Sequence, residues 1–228
     1  SNNSANIEAN PLDDFTKNAK LLERVNKNVL NSDYQSTPID WSKLGLTATT
    51  HPVTGHTTYE AGPNTDVTFF VNDESMNETV TSGLVNVLDE NTSVDPSDAY
   101  ALKANNVRVH LNDVSSLNLK LAAQVKAWKL GDGTIQTNTV TSDVASVPAA
   151  VGVYPVTFNY TNVSRTIYVS VYDDNTVGGP STTDPLNSVN TELMHAKGGT
   201  YRLSEVSGKT LSDITGVKAW NVNTGADS

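Results

Sequence analysis

Cysteine is absent from this chain of 228 residues. Disulfide bonds, thiolate metal sites and cysteine nucleophiles are therefore excluded, although small secreted animal domains usually depend on disulfides. The chain also lacks an apolar run of the roughly 18 residues that a membrane-spanning helix needs. It opens on the polar residues Ser1 to Ser4 and not on a signal peptide, so we expect a processed form or a fragment if the protein is exported.

Positive charge is scarce in this sequence. The chain has 15 Lys and Arg against 25 Asp and Glu, which gives a net charge of -10. Such a chain repels phosphate and anionic lipid and has no basic patch, so we expect neither a nucleic-acid partner nor membrane insertion. The common nucleophile, nucleotide-binding and zinc-hydrolase motifs are missing as well. We therefore expect no enzyme.

Small polar residues are plentiful, since the chain contains 25 Asn, 28 Thr and 21 Ser. They predict a hydrated and weakly charged surface. The length exceeds that of one ordinary β-sandwich domain of about 100 residues. The sequence therefore predicts two or more domains.

One stretch of sequence occurs twice. Residues 111–128 match residues 203–220, 92 positions later, and both copies place a Trp 17 residues after the first Leu. Leu119 of the first copy matches Leu211 of the second without a gap. This match predicts an internal duplication.

A fainter third copy lies upstream, where residues 22–25 precede Trp41. Residues 84–91 also resemble residues 168–175, and both runs alternate before ending in an acidic pair and Asn. Alternation with a period of two predicts half-buried strands. The repeat period is about 85 to 92 residues.

Three repeats follow from this register. Each opens near an Asx-Pro step, at residues 10–11, 95–96 and 184–185, which suits a linker. We predict a divergent first repeat at 1–92, a second repeat at 93–176 and an incomplete third repeat at 177–228. Because an incomplete sandwich cannot bury its face, the chain is either a fragment of a longer array or its repeat boundaries are permuted.

The second repeat has the clearest strand pattern. Residues 106–111 and 124–128 alternate, and a turn signal follows at residues 131–134, which predicts a meander. Residues 152–160 and 165–172 are rich in β-branched and aromatic side chains, which predicts a closing hairpin.

A Trp strand, an Asp-Gly turn, a Gly-x-Tyr-x-Val-Thr-Phe strand and a Thr-x-x-Val-x-Val strand occur together in residues 124–171. This combination resembles the bacterial immunoglobulin-like repeat domains of Gram-positive cell-surface proteins. The third repeat keeps the front of the pattern, and the first keeps Val67, Thr68 and Phe69 without the Gly-x-Tyr step. The resemblance implies a mainly β fold of tandem immunoglobulin-like β-sandwich repeats in an adhesin or stalk.

The N-terminal part of the first repeat has helical features instead. Pro11 and two acids are followed by apolar residues at Phe15, Ala19, Leu22 and Val25. We predict a short helix over 12–26 that packs on the first sandwich, although the repeat register favours a strand near Leu22. Residues 1–10 are predicted to be loose.

Trp41, Trp128 and Trp220 occupy the same repeat position. They could form a ladder of sugar-stacking platforms, and we therefore take them as candidate ligand-binding residues. Alternatively, each packs between sheets, where a large aromatic side chain buries about 150 to 250 Å². A position that is kept across internal copies fits packing better.

Acidic residues end the first and second repeats, at Asp89 and Glu90 and at Asp173, Asp174 and Asn175. Their oxygen atoms are of the kind that calcium requires, so we take them as candidate ligands for calcium at repeat junctions. The alternative is that they are solvated turn carboxylates that protect strand edges from pairing. No other cofactor is expected.

Together with the family resemblance, these features predict a non-catalytic extracellular array on a bacterial cell surface or cell wall. It would project or present a binding surface, with a host surface protein, a glycan or cell-wall components as partners. The alternative is a glycan-binding or accessory module of a secreted carbohydrate-active or cell-wall enzyme.

Overall fold

The computed structural model describes residues 4–8, 48–50, 52, 55, 57–72, 75, 77–180 and 190–228. The protein is mainly β, which confirms the predicted structural class. The predicted helix over 12–26, Trp41 and the Asx-Pro step at 184–185 lie outside the described residues.

Short strands alternate with four strands of nine to eleven residues. In chain order the described strands are β1 (Ser4–Glu8), β2 (Ala48–Thr50), β3 (Thr57–Tyr59), β4 (Gly62–Asn72), β5 (Glu78–Leu88), β6 (Thr92–Val94), β7 (Tyr100–Lys103), β8 (Val107–His110), β9 (Lys126–Lys129), β10 (Thr141–Ser142), β11 (Gly152–Tyr160), β12 (Val163–Tyr172), β13 (Thr176–Gly178), β14 (Glu192–His195) and β15 (Lys218–Asn221). Within the described part of the chain, the helices are single turns. They are a 3-10 helix at Leu111–Ser116, α1 (Leu119–Ala122), a 3-10 helix at Thr137–Thr139, α2 (Leu203–Val206) and α3 (Leu211–Thr215). None of these helices is long and apolar enough to cross a membrane.

The chain forms two compact units. Unit 1 comprises residues 1–103, 126–140 and 160–163, and unit 2 comprises residues 104–125, 141–159 and 164–228. These units follow spatial proximity, whereas the predicted repeats follow sequence similarity, so the repeat boundaries stay a prediction.

Unit 1 contains a three-stranded sheet of order β1-β5-β4, in which β1 runs parallel to β5 and β4 runs antiparallel to it. A second sheet has the order β6-β7-β9 and is antiparallel. Strands β2 and β3 form a separate pair. The buried side chains of Ala101, Trp128 and Leu130 form a core cluster. The partly buried Leu88 and Val94 pack against it.

Unit 2 has a similar order of elements. One sheet has the order β10-β11-β12-β8, with β8 parallel to β12, and an antiparallel sheet has the order β13-β14-β15. Ile167, Val169 and Val171 alternate along β12 and are completely buried. This period of two places their side chains on one face of the sheet, where they exclude water.

The closing hairpin predicted over residues 152–172 is confirmed, since β11 and β12 are neighbours joined by a two-residue turn. Thr161 in this turn has a φ of 49°, and positive φ angles match the twist of tight hairpins. The predicted meander of 106–111 with 124–128 is wrong. β8 pairs with β12 and β9 pairs with β7, because residues 111–122 form helical turns in place of a tight connection.

The predicted loose N-terminus also differs from the structure. Ser4–Glu8 forms β1, whose register on β5 runs from Ser4 opposite Leu84 to Glu8 opposite Leu88. Strands β1 and β5 pair in parallel, as strands β8 and β12 do. The pairing with β5 supplies hydrogen-bond partners for the backbone of β1. The polar composition of residues 4–8 does not predict this pairing.

Candidate functional site

Trp128 lies in the middle of β9 and is completely buried in unit 1. Its indole Nε1 donates a hydrogen bond of 2.9 Å to Oδ1 of Asn86 on β5. The Asn86 amide in turn donates from Nδ2 to the carbonyl of Leu130 at 2.9 Å. The buried Asn86 side chain therefore accepts the hydrogen bond of the indole N–H and links β5 to β9 and the residue that follows it.

Trp220 occupies the same position on β15 in unit 2. It is 2% exposed, and Leu193 and Val222 complete its core, with Val151 and Val153 packed against them. Its Nε1 donates a hydrogen bond of 3.0 Å to the hydroxyl of Ser170 on β12. Both tryptophans thus bond to a buried polar side chain on the long strand that precedes their sheet.

The burial of these two rings bears on their proposed contact with sugars. A stacking platform needs an aromatic face open to the ligand, and neither Trp128 nor Trp220 offers one, at 0% and 2% exposure. Their positions agree with the core interpretation given above. Trp41 lies outside the described residues.

Asp89 organises the turn between β5 and β6. Its Oδ1 accepts hydrogen bonds from the Asn91 backbone at 3.0 Å and the Thr92 hydroxyl at 2.7 Å, and its Oδ2 lies 2.8 Å from Nζ of Lys103. Burial raises the pKa of Asp89, but the bonds from Lys103 and Thr92 offset this and leave the pKa below its ordinary value.

Asp173 organises the matching turn between β12 and β13. Its Oδ1 accepts from the Asn175 backbone at 2.9 Å and the Thr176 hydroxyl at 3.0 Å, and it lies 2.9 Å from Nδ1 of His195. Burial raises the pKa of Asp173, and the hydrogen bonds of Asn175, Thr176 and His195 outweigh that effect and lower it. The two turns differ mainly in the basic side chain beside the carboxylate, which is Lys103 in one and His195 in the other.

The remaining candidate calcium ligands are not gathered around these two carboxylates. Glu90 is exposed, and Asp174 lies 3.0 Å from Nε2 of His110. Among the residues that the structure describes, no group of three or more His, Cys, Asp or Glu side chains is arranged to hold a metal ion. Asp89 and Asp173 are already committed to turn hydrogen bonds, and calcium binding at these turns stays a prediction.

Asp95 is a residue whose role the sequence did not reveal. Its Asp-Pro step predicts a linker, but Asp95 is 3% exposed and closes the turn between β6 and β7. Its carboxylate accepts from the backbone N–H groups of Ala99 at 2.7 Å and Tyr100 at 2.8 Å and from the Ser97 hydroxyl. These bonds, led by that of Ser97, hold the pKa of Asp95 well below its ordinary value. Asp at the first position of a turn is the signal that could have found it.

Each Trp strand begins with a Lys that contacts a long hairpin. Lys126 Nζ donates to the Ala61 carbonyl at 2.9 Å, and Lys218 Nζ donates to the Val151 carbonyl at 3.1 Å. The next residues, Gly62 and Gly152, have φ angles of 145° and 151°. Only glycine adopts such angles readily, so the same backbone bend is built into both hairpins.

A shallow groove in unit 2 is the place where small-molecule chemistry would be sought. It is lined by residues 151–154 and 217–220, Asp227 and Ser228. Asp227 is its one acidic side chain and Lys218 its one basic side chain. Glycoside hydrolysis uses a pair of carboxyl groups in most families, and this groove does not supply that pair.

Neither a protein-family model nor a curated protein matches the chain. The resemblance to bacterial immunoglobulin-like domains therefore rests on the motifs of residues 124–171. The function proposed below is argued from the geometry that recurs around Trp128 and Trp220.

Proposed function

We propose that the chain is a run of tandem immunoglobulin-like β-sandwich repeats in an extracellular bacterial surface protein, where it acts as a non-catalytic stalk or adhesive array. The observation that carries this proposal is the recurrence of one arrangement in both units. A long hairpin leads into an Asp-organised turn and then into a three-stranded sheet with a buried Trp at its centre.

The strand registers support this recurrence. Trp128 is opposite Ala101 and forms a bridge with Ile135, while Trp220 is opposite Leu193 and forms a bridge with Asp227. Each pair of counterparts is separated by 92 positions. Chains built from stacked copies of one module are suited to spacing and presentation, because length is gained by adding modules.

The parallel strand pairs favour a mechanical role. Val107 to His110 on β8 pair in parallel with Val169 to Tyr172 on β12. A force that pulls the start of β8 away from the end of β12 acts along both strands, so their hydrogen bonds resist it together and not one after another. This is the geometry that a stalk under shear needs.

Partners of such an array are host surface proteins, glycans or cell-wall components. The alternative role as a glycan-binding or accessory module gains no support from Trp128 and Trp220, since both rings are buried. Binding would instead use loops, which carry specificity in β-sandwich proteins.

Stretching single molecules tests the mechanical role. We expect separate unfolding events, each releasing about 300 Å for a repeat of 85 to 92 residues at roughly 3.3 to 3.6 Å per residue. Val109→Pro removes a backbone donor from β8 and should lower the force of one event. Ala145→Pro, at an exposed loop position, should leave it unchanged. Unfolding without separate events would contradict the proposal.

Location is tested on intact cells of the organism that makes the protein. Antibodies against the purified chain should label the cells, and mild external protease should remove the label. Binding of the chain to immobilised host matrix proteins, glycans and isolated cell walls then identifies the partner class. Labelling only after cell lysis would contradict an extracellular role.

A further inference from the structure

The sequence contains a motif for which the mechanical role has no use. An Asn followed two positions later by Ser or Thr, with any residue except Pro between them, is the acceptor triplet for an N-linked glycan. Among the residues that the structure describes, the triplet begins at Asn77, Asn91, Asn159 and Asn162. A chain this rich in Asn, Ser and Thr contains such triplets through its composition alone. The structure is therefore needed to separate acceptors from coincidences.

Two of the four Asn residues occupy the same place in the two long hairpins. Asn77 immediately precedes β5, the second strand of the β4–β5 hairpin, and Asn162 immediately precedes β12, the second strand of the β11–β12 hairpin. Both residues are exposed. Each long hairpin therefore presents an acceptor Asn to solvent where its second strand begins.

The side chain of Asn162 is accessible to a transferase. Its Oδ1 accepts a hydrogen bond of 3.2 Å from the Thr161 hydroxyl, and its Nδ2 forms no hydrogen bond to any residue that the structure describes. Ser164, the third residue of the triplet, is exposed as well. Val163 between them is 4% exposed, so its buried side chain anchors the turn. The amide that would react is thus held on a fixed turn and faces solvent.

The other two triplets are engaged by the fold. Asn159 lies within β11, is half-buried, and accepts a hydrogen bond of 2.6 Å from the Ser164 hydroxyl through Oδ1. The residue after it, Tyr160, is 1% exposed. Asn91 is half-buried in the turn that Asp89 organises, and its backbone N–H donates to that carboxylate at 3.0 Å. A transferase that draws either triplet into its own active site would have to break these contacts.

We propose that Asn77 and Asn162 are acceptors for an N-linked glycan. In the transfer, Nδ2 of the Asn attacks C1 of a sugar that is carried on a diphosphate donor. The Nδ2–C1 bond forms and the C1–O bond to the diphosphate breaks. The diphosphate leaves with the electron pair of that bond, and Nδ2 gives up one proton to a base of the transferase. Nothing is oxidised or reduced.

A glycan at these positions is compatible with the fold and with the surface role. Because Asn77 and Asn162 are exposed, the added sugar displaces no core side chain. N-linked glycans are bulky and solubilising groups of protein surfaces, and at the hairpin tips they would extend the hydrated surface of an extracellular array. This purpose rests on the extracellular location proposed above, whereas the choice of acceptors rests on the exposure of the four Asn residues.

Mass spectrometry of the chain purified from its own organism tests the acceptors. The intact mass should exceed the sequence mass by two glycans, and peptide mapping should assign one to Asn77 and one to Asn162. Asn77→Gln and Asn162→Gln, expressed in the same cells, should each remove the mass of one glycan. The matched controls Asn91→Gln and Asn159→Gln should retain both glycans.

The hydroxyl of the triplet provides a second test. Ser164→Ala should leave Asn162 unmodified although the Asn itself is intact, and Ser164→Thr should restore the glycan, because the triplet accepts either hydroxyl residue. Both variants should keep the glycan of Asn77, which serves as the internal reference. A glycan that persists in Ser164→Ala would overturn the assignment of Asn162 as a triplet acceptor.

Antibody labelling of intact cells separates this inference from the proposed function. A chain that is labelled on the cell surface but has neither Asn77 nor Asn162 modified would overturn the glycan sites alone. A glycan on Asn91 or Asn159 with Asn162 unmodified would overturn them as well, since exposure would then not select the acceptor. A chain that carries both glycans but is never labelled on intact cells would overturn the surface role and leave the acceptors standing.

Discussion

Units 1 and 2 build the same tryptophan-centred sheet and differ in the burial of its second face, which is the face opposite the Trp ring. Leu102 is completely buried in unit 1, whereas Met194, at the same place in the register, is 47% exposed in unit 2. Trp128 and Trp220 are nevertheless equally buried. The comparison teaches that the Trp face is completed locally, by the sheet and the hairpin before it, and that burial of the Trp ring does not require a buried second face.

The polar contacts of the two units differ in a second way. Trp128 bonds to an amide and Trp220 to a hydroxyl, and both acceptors are fully buried. The Asp and Thr of each turn are kept, because their side chains close the turn on its own backbone. The geometry of the turn therefore restricts the Asp and Thr inside it. The side chain that accepts the hydrogen bond from the Trp ring is less restricted, since it is Asn in one unit and Ser in the other.

The largest expected effect is that of removing the central ring. Trp128→Ala should destabilise unit 1 by about 3 to 5 kcal/mol, the usual loss for a buried Trp, because it leaves a cavity in the core. Urea unfolding followed by circular dichroism measures this loss. Trp128→Phe keeps the ring and removes only the N–H donor to Asn86, so its loss should be smaller. Retained stability with loss of a sugar ligand would contradict the core assignment of Trp128.

The second face gives the sharpest test of the difference between the units. Leu102→Ala should cost about 2 to 5 kcal/mol as a substitution in a sealed core. Met194→Ala should change stability by less than about 0.5 kcal/mol, since an exposed position has little packing to lose. Amide hydrogen exchange read separately over β7 and β14 makes the comparison within one molecule. Equal losses at both positions would mean that the two second faces are equally covered.

Asp95→Asn tests a turn that belongs to unit 1. The amide keeps the size of the side chain but loses the negative charge that Ser97, Ala99 and Tyr100 stabilise, so the melting temperature at pH 7 should fall. The folded pKa of Asp95 is lowered, so its contribution is present above the ordinary Asp pKa of about 3.9 and is lost as pH falls below it. The gap between the variant and the unaltered chain should therefore close in acid. A gap that is constant down to low pH would contradict this role of the charge.

Part of this architecture was predictable from sequence, and part was not. The hairpin of residues 152–172 was found because its apolar residues alternate over two long strands, and the equivalence of Trp128 and Trp220 followed from the gapless repeat. The pairing of β8 with β12 was missed, since the two strands are far apart in sequence and their register depends on packing. Asp95 was missed because its proline suggested a linker, while its hydrogen bonds come from a turn that only the fold closes.

The smallest expected effect comes from exchanging the basic partners of the two Asp turns. A lysine side chain ordinarily stays charged across the neutral range, whereas a histidine side chain gains or loses its charge there. With Lys103→His, the pair with Asp89 is charged at pH 5 and loses its charge as pH rises to 8, so unit 1 should lose up to about 1 kcal/mol over that range. His195→Lys should remove the corresponding dependence from the turn of Asp173.

The difference in urea midpoint between pH 5 and pH 8 measures both variants. His110 lies 3.0 Å from Asp174 beside the second turn, so the comparison is made between variants that all retain His110. Below the ordinary Asp pKa both turns should weaken alike, because the pKa values of Asp89 and Asp173 are both lowered in the folded chain. If Lys103→His left unit 1 independent of pH between 5 and 8, the ion pair would add nothing to the turn. Its hydrogen bonds to Asn91 and Thr92 would then account for the conservation of Asp between the two units.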